Sequence, residues 1–187
     1  MHAFKALCIV LAASLGASCM SLGTLDADVQ PPDRDHVIFV LGVQSGTSEV
    51  GVFRGDLGSH GFSQNPFAVA TYFGRPNDGF VVGESHAGNT LGVTDISVAS
   101  AVQQDFSLCH NSSTVTFRAP AGKVVYVGNV SFGRQGFATI PTITRDLEAA
   151  RRFLRNHYPN LADALVDEEV QLVPLLKNCT VTIYIYH

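Results

Sequence analysis

Ser113 to Phe132 reads STVTFRAPAGKVVYVGNVSF, two alternating apolar and polar runs on either side of Pro120-Ala121-Gly122. A period of two sends successive side chains to opposite faces, so each run is a β-strand, and the pair is expected to hydrogen-bond together. Val115 and Phe117 share one face of the first strand. In the second, Val124, Tyr126, Val130 and Phe132 are expected on one face and Lys123, Asn129 and Ser131 on the other, with Gly128 marking a bulge or a close backbone approach.

Upstream, His36 to Val43 (HVIFVLGV) is continuously apolar and β-branched, the composition of a strand buried on both faces or in the middle of a sheet. Gln44-Ser45-Gly46 is a turn into Glu49 to Arg54, which predicts a hairpin. Gly55 to Pro66 reads as a loop. Phe67 to Phe73 and Phe80 to Gly83 flank the turn residues Arg75 to Gly79 and predict a second hairpin. Leu91 to Val98 is a further strand, and Ala99 to Leu108 is open between strand and short helix.

Downstream, a short strand is expected at Phe137 to Ile140. The period then lengthens: Leu147, Ala150, Leu154, Tyr158 and Leu161 trace one stripe of a helix. Thr144 is its expected N-cap, Glu148 is placed to pair with Arg152, and Pro159 ends it at Tyr158. A second short helix is expected at Leu161 to Val166. Cys179 to His187 (CTVTIYIYH) alternates strictly and predicts a last strand. The fold class is therefore mainly β, an antiparallel β-sandwich of about seven strands with one amphipathic helix near the C-terminus.

With 187 residues, 46% hydrophobic and 15% charged, the chain has the composition of one folded domain. A net charge of −4, with scattered Lys and Arg, speaks against nucleic acid, whose binding requires many cations to displace phosphate counterions. The first residues differ in kind. Lys5 precedes an apolar run, Ala6 to Ala13, too short to span a bilayer and suited to a signal-peptide core. It ends in Ser14-Leu15-Gly16-Ala17-Ser18-Cys19, which resembles the lipobox of bacterial lipoproteins, with the branched residue one place earlier than usual. That resemblance implies cleavage after Ser18 and a lipid on Cys19, a membrane anchor; ordinary signal-peptidase cleavage near Gly16 to Ser18 is the alternative. Met20 and Ser21 favour the outer membrane by the same resemblance. The expected organisation is a signal peptide at 1–18, a lipid-anchored polar tether at 19–35, and a β-sandwich domain at 36–187.

Cys8 leaves with the signal and Cys19 is consumed by lipid, which leaves Cys109 and Cys179 in an exported, oxidising compartment. A disulfide between them is expected, with two buried thiols as the alternative.

Three stretches resemble catalytic or ligand motifs. Gly83-Glu84-Ser85-His86-Ala87-Gly88 resembles the nucleophile elbow of α/β-hydrolases, but Ala87 stands at the fifth position and strand residues follow in place of a helix. Gly42 to Ser48 has the look of a phosphate loop without its lysine, so a turn is expected. His60, His86 and His110 fall in or beside loops without metal-ligand spacing, and no metal or other cofactor is expected. Asn111, Asn129 and Asn178 stand in N-glycosylation patterns that arise readily in a Ser/Thr-rich chain.

Phe117 to Gly128 (FRAPAGKVVYVG), followed by a helix ending His157-Tyr158-Pro159, resembles small uncharacterised proteobacterial lipoproteins with a β-sandwich domain. The resemblance implies a fold and a place, and no catalytic residues. The expectation is a lipid-anchored, non-enzymatic binding or scaffolding protein of the periplasm-facing cell envelope, with an envelope protein as its possible partner. The alternatives are an envelope serine hydrolase using Ser85 and a secreted metal-binding domain.

Overall fold

The computed structural model describes residues 22–98, 104–108, 112–135 and 138–177. The signal segment, Cys19, the expected disulfide pair Cys109 and Cys179, His110 and the expected strand at 179–187 lie outside them. Among the described residues the chain forms β1 (His36–Val43), β2 (Thr47–Gly58), β3 (Gly61–Gln64), β4 (Tyr72–Gly74), β5 (Phe80–His86), β6 (Thr90–Val98), β7 (Gln104–Ser107), β8 (Ser113–Arg118), β9 (Lys123–Gln135), β10 (Ala138–Thr144), helix α1 (Leu147–His157), β11 (Leu165–Asp167) and β12 (Gln171–Pro174). The fold is mainly β, two sheets and one helix near the C-terminus, as the periodicity predicts.

One sheet runs β10-β9-β1-β5, with β11 also on β9; the other runs β12-β8-β6-β2-β3, with β4 on β2 and β7 on β6. The first sheet is mixed: β9 runs parallel to β1 and to β11. The second curls until Phe62 of β3 bridges Leu175, just past β12. The Phe62 ring fills the inside of this curl, where a Cβ on Gly55 or Gly92 would come within 2.5 Å of it.

This topology corrects the expected pairings. The strands of Ser113 to Phe132, β8 and β9, lie in opposite sheets, so Pro120-Ala121-Gly122 crosses the sandwich. The crossing is tied down at both ends: Ala119 N–H donates to Asn89 O (2.9 Å) and Gly122 N–H to His36 O (2.8 Å). Gly122 has φ +65°, a left-handed value that suits glycine. β1 and β2, and likewise β4 and β5, also sit in opposite sheets; neither expected hairpin forms. The expected loop Gly55 to Pro66 instead holds the end of β2 and all of β3, and of the strand expected at Phe67 to Phe73 only Tyr72 and Phe73 are in β4, residues 67–71 forming a loop.

β1 is buried on both faces, as its unbroken apolar run predicts. Val37, Phe39 and Leu41 meet Val52, Leu91, Val115 and Phe117 between the sheets. Ile38 and Val40 face the other way, against Ala150, Phe153 and Leu154 of α1. β9 divides likewise, and here the single expected face is corrected. Val124 and Tyr126 face the helix, while Val130 joins Val125 and Val127 in the inter-sheet core. The reason is a bulge: Val40 pairs with Tyr126 but Leu41 with Gly128, and the skipped residue inverts the alternation.

α1 starts later than expected. Thr144 is the last residue of β10, and Asp146 caps instead, its carboxylate accepting from Ala149 N–H at 2.9 Å. Asp146 N–H in turn donates to the buried Tyr126 hydroxyl at 3.1 Å. Glu148 pairs with Arg151 at 2.8 Å, one residue short of the expected Arg152. Phe153, outside the expected stripe, stacks on Phe80 at 4.7 Å between centroids, a contact worth about 0.5–1.5 kcal/mol beyond its buried area. The expected second helix is a single 3-10 turn, Pro159–Leu161, before β11.

The stretch expected as a tether is packed onto the body from Leu22 onward. Leu22 bridges Phe73, and Leu25 and Val29, four residues apart, pack on the helix-side core. Asn160 donates to Asp28 O at 3.1 Å. The polar residues between these contacts hide them from a periodicity reading.

Gly128, with φ +113°, sits where β10 gives way to β11 along β9, and a Cβ there would lie 2.9 Å from Ile143 Cγ2 and 3.3 Å from Thr144 O. Gly128→Ala is expected to cost about 1–3 kcal/mol, from the strained backbone and the displaced Ile143. Denaturant unfolding measures it, and an unchanged midpoint at unchanged slope would show that the bulge tolerates a side chain.

Candidate functional site

The sequence singles out Ser85 and His86, and the fold places both at the end of β5. β5 pairs antiparallel with β1, His36 opposite His86 and Val37 opposite Ser85. Residues directly opposite share a face, so the two histidines stand together on the helix side, and Ser85 points to the interior between the sheets. Val82 and Val81 of the same strand confirm the alternation, the first in the helix-side core and the second between the sheets.

Ser85 is thus a buried plug, 6% exposed. Its Oγ accepts from Asn89 Nδ2 at 3.1 Å and donates to His86 O at 3.4 Å. Ala87 to Asn89 then turn the chain into β6, a strand, and not into the helix that a nucleophile elbow requires. Among its described hydrogen bonds none reaches a histidine ring. The geometry that activates a serine is a hydroxyl within reach of a base and open to substrate, and adjacent positions on a strand separate the two.

The histidine face is open. His36, Glu84, Ser85 and His86 line a shallow hollow of about 410 Å³, closed on one side by Gly23 to Leu25. The rings of His36 and His86 lie 4.6 Å apart, tilted by 34°. His36 Nδ1 meets Asp33 Oδ1 at 2.8 Å. This hydrogen bond raises the His36 pKa against a smaller opposing effect of burial, and the charges of Asp33, Glu84 and Asp35 add to the rise. The same bond, with one from Asp35 N–H, lowers the pKa of Asp33. His60 lies in the turn between β2 and β3. Among the described residues no group of three His, Cys, Asp or Glu is placed to hold a metal ion.

A second cleft, about 420 Å³, opens where β6, β8 and β12 begin or end. Its walls are mixed: Thr90, Thr116 and Arg118 from β6 and β8 and Glu168, Glu169 and Gln171 from the chain between β11 and β12 and the start of β12 are polar, and Leu57, Phe117 and Val170 are apolar. Burial raises the pKa of Glu168, and the neighbouring charges of Glu169 and Asp167 raise it further. Arg118, Glu168 and Glu169 bring charges of both signs to one cleft, and Thr116 Oγ1 donates to Gln171 O at 3.4 Å across it. The Gly42 to Ser48 stretch ends β1, turns through Gln44 to Gly46 and begins β2, and Gln44 Oε1 accepts from Phe132 N–H at 3.0 Å.

Sequence reasoning missed His36 and Asp33 because neither lies in a motif. The spacing of Asp33 and His36 flanking the start of an apolar strand was the available signal. No family model matches the chain, and neither curated proteins nor solved structures give a match. Among the described residues no helix is long and apolar enough to cross a membrane.

A raised histidine pKa means the folded state holds the proton more tightly. The His36 contribution is therefore full below the unfolded-state pKa and lost as pH rises through the folded one, while that of Asp33, whose pKa is lowered, is lost as pH falls through its folded value. Asp33→Asn should move the His36 titration to lower pH in an NMR experiment following the ring protons. A titration that stays in place would mean that the contact does not persist in solution.

Proposed function

We propose that the chain is a lipid-anchored lipoprotein of the cell envelope, facing the periplasm, whose sandwich binds or scaffolds and does not catalyse. The observation that carries the anchor is in the sequence: an apolar core of signal-peptide length that runs into small residues abutting Cys19. Two or more acyl chains make such an anchor stable, since each buried methylene contributes about 0.8 kcal/mol. Support for a binding role is geometric. Ser85 is buried at the margin of the histidine hollow with its hydroxyl bonded to Asn89 and His86 O, whereas His36 and His86, and Arg118 and Glu168 in the second cleft, offer hydrogen-bonding groups on concave surfaces. The outer membrane is the proposed destination, on the identity of Met20 and Ser21, and a disulfide between Cys109 and Cys179 is proposed to follow from export.

Metabolic labelling with an alkyne fatty acid tests the anchor. The wild-type chain should incorporate label, and Cys19→Ala should incorporate none; equal labelling of the two, or none in either, would sink it. A fluorophosphonate probe should leave Ser85 unmodified, and its covalent capture there would turn the reading toward a hydrolase.

A further inference from the structure

We propose that the loop from Asn65 to Ala70 is a membrane-contact element, resting in the lipid interface beside the anchor with Phe67 and Val69 inserted. The inference rests on the reading of Cys19 as acylated.

Single exposed apolar residues are ordinary on a protein surface. Here two stand on one short loop, Phe67 at 95% exposure and Val69 at 70%. The loop is held in that shape. Asn65 Oδ1 accepts from Phe67 N–H at 3.0 Å and Asn65 O from Ala68 N–H at 3.1 Å, an Asx turn that lifts the phenylalanine away from the core. Both ends are fastened to β2, Asn65 N–H to Arg54 O at 3.0 Å and Thr71 N–H to Val52 O at 2.9 Å. Immediately after it, the buried Tyr72 donates its hydroxyl to Arg75 O at 2.9 Å.

The loop and the start of the folded chain carry no charge of their own, the nearest charged side chains being on β2, where Arg54 and Asp56 are exposed. No Asp, Glu, Lys or Arg occurs between Leu57 and Gly74, or between Met20 and Leu25. Those two stretches meet: Leu22 and Phe73 exchange backbone hydrogen bonds of 2.8 and 2.9 Å, and Gly23 is so close to Thr71 that a Cβ would lie 2.3 Å from its carbonyl oxygen. The strand-like start of the folded chain and the apolar loop therefore share one edge of the second sheet.

Chain length then decides what covers this edge. Cys19 is three residues before Leu22. Three extended residues reach about 10–11 Å, while the polar interface of a bilayer is about 5–7 Å deep on each side. A cysteine acylated at that interface cannot hold Leu22 farther from the lipid than this reach, so the edge carrying Leu22 and the uncharged loop is brought down on the membrane. A protein partner requires neither the short reach nor the absence of charge on both stretches.

The chain contains no tryptophan, so Phe67→Trp supplies its one indole, which is excited to the red of the five tyrosines. The mature chain carrying it would be placed in phosphatidylethanolamine–phosphatidylglycerol vesicles, with acylation established by mass spectrometry. Val166→Trp, at a 42% exposed position on β11 in the other sheet, is the comparison. Emission from the Phe67→Trp chain should shift to the blue on reconstitution, and brominated acyl chains should quench it at least about twofold more than emission from the Val166→Trp chain. Water-like emission and no excess quenching in an acylated chain would overturn the membrane contact and leave the anchor standing. A chain found without acyl groups would overturn the anchor and the contact together.

Discussion

The first sheet is covered on both sides, by the second sheet within the sandwich and by α1 outside it, and its central strands must therefore be apolar on both faces. Val37, Ile38, Phe39, Val40 and Leu41 are all fully buried. A polar side chain at any of these positions would have no water and no strand partner, since the backbone groups of β1 are already committed to β5 and β9. The helix follows from this requirement. With Ile38, Val40, Val82, Val124 and Tyr126 pointing away from the sandwich, the sheet needs an amphipathic cover, and Ala150, Phe153 and Leu154 supply it with Leu25 and Val29 closing the margin.

β9 carries the second consequence. It is too long for one neighbour on its outer edge, and β10 and β11 divide that edge, β10 pairing from Asn129 onward and β11 with Val124 to Tyr126. Gly128 lies at the division, and its bulge reverses the side-chain phase so that β9 keeps apolar residues on both faces along its length. At the division Tyr126 O accepts from Glu168 N–H at 3.0 Å, just past β11. Arg145 enters the gap between β10 and β11, donating to Glu168 O at 2.9 Å, Asp167 Oδ1 at 2.7 Å and Tyr126 O at 3.4 Å. All three bonds come from Nη1, whose two N–H groups reach acceptors on both β9 and the end of β11.

Alternation reports which face a residue takes within its strand and says nothing of which sheet the strand joins. That is why β1, β6, β8 and β9 were legible in Ser113 to Phe132 and its flanks while their partners were not. A turn such as Pro120-Ala121-Gly122 can close a hairpin or arch across a sandwich, and the choice rests on distant residues, here His36 and Asn89, which accept its N–H groups. The double burial of β1 was readable because an unbroken apolar run has no polar face. The candidate site was legible only as residue types. Ser85 and His86 are adjacent in sequence, and adjacency in a strand is what divides them between two faces, whereas His36 and His86, fifty residues apart, become neighbours through register.

Exposed strand edges invite pairing with other chains, and the edges at β10, β12, β3 and β4 are each blunted. β10 carries Pro141 and β12 ends at Pro174, residues without an N–H to offer. β3 is met by Leu175 and Leu176, the latter donating to Phe62 O at 2.8 Å, and β4 is met by Leu22. The segment before β1 thus performs an edge-covering task that a free tether could not. Between β3 and β4 the same edge is interrupted, because the chain leaves β2 after Asn65 and returns to it at Thr71, and it is in this interruption that Phe67 stands out from the surface. An apolar side chain on a pinned, hydrogen-bonded turn was not left out for want of a core position: Val52 and Tyr72 on either side of the loop's root are buried, and the turn at Asn65 directs Phe67 away from them.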